Sequence, residues 1–172
     1  MKHLRYLSYL VRHKWFVLVA GLSLGVSPFR LLIHDWSKFL PSEWFPYAQN
    51  FYGDNAHEGL SAIGEFGLAE LAPFGYFASE RFSAAWNLHQ KRNKHHWQYW
   101  LLTQDSGETF PLPMPKKYAR EMLADWMGAG RAITGRWEVA EWYKKQRHRM
   151  FLHSETRQYV ESFAALKAAL EV

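Results

Sequence analysis

The sequence predicts an all-α protein, a single compact helical bundle of about six to eight helices spanning residues 1–172. Three observations lead there. Apolar residues recur at helical spacing along most of the chain. No run alternates cleanly between apolar and polar residues, as a half-buried strand would. Prolines and glycines fall where helices start and stop. A chain of 172 residues fits one domain and can bury about 70% of its unfolded surface.

Leu4, Leu7, Leu10, Val11 and Val17 share the repeat of a first helix over 3–24, with Gly25 as its stop. Ser27 and Pro28 suit the N-cap and first position of a second helix over about 28–38. Pro41-Ser42-Glu43 opens a third, which Gly53 ends. Residues 53–75 hold five glycines and read as a loop with one short helix near 57–70. A long helix is expected over about 79–103. The proline-rich stretch 104–115 reads as an irregular connection. Three more helices follow, from Pro115 to Gly128, from Arg136 to Met150 and from Glu155 to Ala169, with His153-Ser154 capping the last.

Composition narrows the chemistry. The chain has no cysteine, which excludes disulfides and thiolate ligands and fits a cytoplasmic protein. Any metal must sit on imidazole, carboxylate and water. The net charge of +5 favours anionic partners: a nucleotide, nucleic acid or anionic lipid. Aromatic residues make up 17%, enough for a large core, for base stacking or for a homodimer contact. The apolar run Trp15–Val26 is too short for a membrane span, which needs roughly 20 residues, and reads as a buried helix.

Histidine carries the strongest functional signal. His34-Asp35, in RLLIHDWSKF, pairs an imidazole with a carboxylate after three apolar residues, where an unpaired charge would be costly. In WNLHQKRNKHHW, His89 and His96 are seven residues apart and would share one helix face with Arg92; His95 would approach from the edge. Histidines of this kind are also found satisfied in aromatic interiors. Asp125 sits among Met122, Leu123 and Trp126, and Glu121 lies one turn earlier as a supporting group. A helix-surface aspartate would explain Asp125 equally well.

In chain order these residues run His13, His34-Asp35, His89, His95-His96, Asp125. That order resembles the HD-domain superfamily of metal-dependent phosphohydrolases, and His34-Asp35-Trp36-Ser37-Lys38 is similar to the HDxGK form of its cyclic-dinucleotide phosphodiesterase branch, with Ser37 in place of the glycine. The chain is also similar to a small phage and bacterial family with HDxSKF, RNxHHWQYW and ADWxGAGRAxTG segments, a resemblance that brings no activity with it. The superfamily resemblance implies a helical domain of the HD type holding one or two divalent ions (Mn, Fe, Co, Ni or Zn, with Mg also allowed). His13, His34, Asp35 and Asp125 carry over as ligands most directly; His89, His95 and His96 supply further candidates. It implies metal-activated water attacking a nucleotide or related phosphate ester, with Asp35 and Lys38 catalytic. Lys38, Arg92, Lys94, Arg131 and Arg136 are the candidate phosphate contacts, and the Gly128–Arg131 run could let backbone approach the ligand. The alternatives are a di-iron HD-domain oxygenase, a catalytically silent nucleotide- or nucleic-acid-binding domain, and a helical structural or interaction protein with surface histidines.

Overall fold

The longest helix, α1 (Lys2–Ser23), sets the frame. In the computed structural model, which describes residues 1–53, 79–163 and 166, it is followed by α2 (Pro28–Ile33), a 3₁₀ turn (Trp36–Phe39), α3 (Pro41–Tyr52) and α4 (Glu80–Arg92). A second 3₁₀ turn (Trp97–Trp100) leads into a short antiparallel hairpin, β1 (Leu101–Thr103) and β2 (Thr109–Pro111), with Leu102 opposite Phe110. Then come α5 (Lys116–Thr134), α6 (Val139–Gln146), a 3₁₀ turn (Arg147–Arg149) and α7 (Ser154–Glu161). The described residues thus form an all-α bundle of seven α-helices with one two-stranded ribbon. The short helix expected near 57–70 lies outside the described residues.

Several expected helices end elsewhere, each for a local reason. The helix expected over 28–38 ends at Ile33: His34 leaves helical geometry at ψ 130°, and Asp35 takes the left-handed conformation at φ 55°. The helix expected over 79–103 stops at Arg92. Asn93 turns extended and its Nδ2 donates to the His89 carbonyl, capping the last turn from its own side chain. His95 and His96 therefore leave the helix, and the helical wheel that paired His89 with His96 does not apply. Strand β1 occupies the end of that expected helix, and the turn and β2 fall in the expected irregular connection. The hairpin's three-residue strands are too short for alternation to show, and Gly107 at φ 87° lies in its turn.

The helix expected to end at Gly128 continues to Thr134, where Gly135 at φ 76° terminates it. Gly128 is buried inside α5. A Cβ there would lie 2.5 Å from the Val17 backbone nitrogen and 2.8 Å from its Cα. The glycine serves backbone-to-backbone packing of α5 on α1 rather than ligand approach, which corrects the reading of the Gly128–Arg131 run. Val17 is one turn beyond His13, and Gly128 is three residues beyond Asp125, so this close approach also aligns those two side chains.

Three apolar clusters surround the crossing. One joins α1, α3 and α4 through Tyr6, Leu10, Tyr47, Phe51 and Phe82. A second lies between α1, α2 and α5 around Val17, Leu31 and Ala124. The third packs α5 on α6 and α7 through Met122, Trp126, Tyr143 and Val160. No helix of the described residues is long and apolar enough to cross a membrane. Gly128→Ala should destabilise the protein by about 1–3 kcal/mol in denaturant unfolding, because overpacking against α1 outweighs alanine's better helix propensity.

Candidate metal centre

Five elements deliver the polar residues of the interior. α1 supplies His13. The α2–3₁₀ junction supplies His34, Asp35, Ser37 and Lys38, and α3 supplies Glu43. α4 supplies His89, its C-terminal turn supplies His95 and His96, and α5 supplies Glu121 and Asp125. All of these side chains are buried.

They form two adjoining groups that share one carboxylate. In the first, His13 Nε2 lies 3.2 Å from Asp35 Oδ2 and 3.3 Å from Asp125 Oδ1, while His34 Nε2 lies 3.2 Å from Asp125 Oδ1. In the second, His89 Nε2 and His95 Nε2 lie 3.3 and 3.2 Å from Asp35 Oδ1, with the His96 ring 4.7 Å from that of His89. Asp35 thus turns one oxygen to each group. Its left-handed backbone, which costs roughly 1 kcal/mol, is what aims the carboxylate between them.

Both groups fit a metal ion. In each, the ligand atoms lie within 4.8 Å of one another; two donors about 2.1 Å from one ion are at most about 4.2 Å apart, so only a slight contraction is needed. The second group gives the sharper test. Asp35 Oδ1 and Nε2 of His89, His95 and His96 are all buried and none meets hydrogen-bond geometry; His89 and His95 lie within ion-pair range of Asp35 Oδ1, while His96 Nε2 has no partner among the described residues. Each such group costs about 1–3 kcal/mol if left unsatisfied. A shared cation would satisfy all of them. These buried His, Asp and Glu groups can hold a metal ion.

An outer layer fixes the ring orientations. Glu43 Oε2 lies 2.8 Å from His89 Nδ1 and accepts from Ser37 Oγ at 2.9 Å, and Glu43 Oε1 accepts from Arg92 Nη1 at 2.8 Å. Asn93 Nδ2 donates to Ser37 Oγ at 2.9 Å. Glu121 Oε1 lies 3.2 Å from His34 Nδ1 and 3.4 Å from His95 Nδ1, and Glu121 Oε2 accepts from Arg30 Nη1 at 3.1 Å. Carboxylates behind imidazoles in this way set which nitrogen is free to ligate. Glu121 is expected from the sequence as a supporting group; Glu43 is not. A glutamate in a helix's first turn already has a sufficient reason to be there.

Charge in the interior is tightly balanced. Burial opposes ionisation of Asp35, yet His34, Lys38 and His89 hold its carboxyl well below the usual range. Contacts from His13 and His34 do the same for Asp125 against its burial. Burial disfavours the charged form of His13, but Asp125 and Asp35 raise it to about 9; Asp35 and Glu121 likewise raise His95 to about 10. Burial, reinforced by His95 and His89, holds His96 well below its ordinary value, so its ring is neutral.

A cleft of about 170 Å³ opens onto this interior, lined by Arg30, Trp36, Arg92, Lys94 and Tyr118 together with His34, His95 and Glu121. Arg92 and Lys94 are therefore at its wall. Arg30, one helical turn before His34, joins them; that spacing was the available signal for it. Lys38 is elsewhere. It is buried, with Nζ 2.8 Å from Asp35 Oδ2 and over the Tyr47 ring, so it balances the shared carboxylate and does not line the cleft. Arg131 lies over the rings of Phe16 and Trp137, and Arg136 follows the α5 cap; neither lines the cleft. Tyr143 belongs to the α5–α7 core and donates to Glu161. His3 accepts from Trp44, His153 caps α7, and His57 lies outside the described residues.

A model of a family of unknown function, DUF5662, matches residues 2–166. The chain belongs to DUF5662. No curated protein and no solved structure matches it.

The charge balance of this DUF5662 centre sets a pH response. In metal-free protein, His13 and His95 keep protons to about 9 and 10, against an ordinary 6.5. Their folded values are raised, so the stability they contribute is complete below pH 6.5 and is lost as pH rises through 9 and 10. Chelated protein should melt at progressively lower temperature across that window, and added metal, which displaces those protons, should flatten the decline.

Proposed function

We propose that this DUF5662 protein is a metal-dependent phosphohydrolase acting on a nucleotide or a related phosphate ester. The observation that carries this reading is the convergence of four buried, hydrogen-bond-free ligand atoms beside a second His/Asp group that shares Asp35. His13, His34, Asp35 and Asp125 would hold one divalent ion, and Asp35, His89, His95 and His96 another. The ligand order supports an HD-domain reading. The nitrogen-rich second group favours Mn, Fe, Co, Ni or Zn over Mg.

A bound divalent ion would supply an acidified water and polarise the phosphoryl oxygens. The chain's own residues do the rest. Arg30, Arg92 and Lys94 give the cleft the charge to receive a phosphate, and a guanidinium can bond two of its oxygens. Trp36 and Tyr118 offer aromatic surface at the same wall for a base or sugar. Glu43 and Glu121 hold the imidazoles of His89, His34 and His95 in place. Lys38 keeps Asp35 ionised at the junction of the two groups. The cationic wall favours a phosphate substrate over the chemistry of a di-iron oxygenase.

The test is elemental analysis of untagged protein followed by phosphate release from a nucleotide panel with Mn, Fe, Co or Ni. Stoichiometric metal and turnover are expected, and both should be lost in His34→Ala and Asp35→Ala. Full activity in either variant contradicts the assignment, as does bound iron with oxygen consumption and no phosphate release.

A further inference from the structure

The face of α1 turned away from the metal centre is apolar. Leu4, Leu7, Val11, Trp15, Val19 and Leu22 follow one another at steps of three or four residues, so they form a single straight stripe. Each is between 38% and 73% exposed. The opposite side of the same helix buries Tyr6, Leu10, His13 and Val17. A helix apolar on both sides is normally covered on both. Here the stripe runs the length of a 22-residue helix, roughly 33 Å.

Charge identifies what covers it. The first 34 residues contain Lys2, Arg5, Arg12, Lys14 and Arg30 and no acidic residue. Arg5 and Arg12 are exposed beside Leu4 and Val11, two helical turns apart, with the Arg5 guanidinium over the Tyr52 ring. Lys2 and Lys14 are engaged with Gln49 and with the Leu32 and His34 carbonyls. A second copy docked on this face would bring the arginines of both helices together with no carboxylate on either helix to pair them. An anionic lipid surface offers apolar depth for the stripe and phosphate for the arginines. Tryptophan at the middle of the stripe suits that interface. The helix is not apolar enough to cross the bilayer, which leaves it lying in the interfacial plane.

We propose that α1 docks this protein on anionic membrane surfaces through the Leu4–Leu22 stripe and its flanking Arg5 and Arg12. His13 then faces away from the lipid, into the protein.

The test is flotation of the purified full chain with phosphatidylcholine vesicles, with and without roughly one-third phosphatidylglycerol. Flotation is expected only with the anionic vesicles and should weaken as salt rises. R5A/R12A should weaken partitioning about 30-fold, and V11N/W15N should abolish it, both with wild-type circular dichroism. R5A/R12A leaves the apolar stripe intact and so decides the matter even if V11N/W15N misfolds. Failure of the wild-type chain to float, or flotation unaffected by R5A/R12A, overturns the proposal. So does a dimer in solution, seen by light scattering, that V11N/W15N converts to monomer.

Discussion

The interior of this protein is organised around one carboxylate. Asp35 is fully buried, carries a negative charge, and turns its two oxygens to different partners: Oδ2 to His13, His34 and Lys38, Oδ1 to His89 and His95. An isolated charge in such a place would be neutralised or would unfold its surroundings. It persists because cationic partners come from several elements at once. Each of those elements must then be positioned to reach it, and the packing of the bundle follows from that requirement.

Two backbone features meet it. The left-handed conformation at Asp35 lets a short segment offer His34 to one side and the carboxylate to the centre. The absence of a side chain at Gly128 lets α1 and α5 approach closely enough for His13 to touch Asp125 across the helix pair. The ring-bearing residues are then held from behind by Glu43 and Glu121, whose own charges are met by Arg92 and Arg30 at the cleft wall. Cleft, orienting carboxylates and inner imidazoles form one connected network. A ligand binding at the arginines would therefore be felt at the imidazoles.

The fold class was legible because helical periodicity is a property of the chain alone. α1 and α3 carry it cleanly, and their limits fall close to where the sequence places them. What the sequence conceals is where a helix yields to a side chain's competing bond. Nothing in RNKHHW announces that Asn93 will turn extended and add a side-chain bond to the His89 carbonyl, leaving His95 and His96 outside the helix. The donor residues of the centre stand out by type and setting. Their grouping does not, because it depends on the Asp35 kink and on an α1–α5 spacing that a periodicity argument cannot see. Glu43 was hidden by its position, since a first-turn glutamate is unremarkable. Arg131 and Arg136 were attractive for their charge alone, and they meet aromatic rings and a helix cap instead.

The buried imidazoles and carboxylates are proposed to bind cations on either side of Asp35. Anomalous diffraction from crystals of untagged protein, collected across the Mn, Fe, Co, Ni and Zn edges, tests this directly. Anomalous peaks are expected to flank the Asp35 carboxylate, one toward His13 and Asp125 and the other toward His89 and His96. A well-ordered centre with no anomalous scatterer in crystals grown with these metals, or a metal bound away from Asp35, would contradict it.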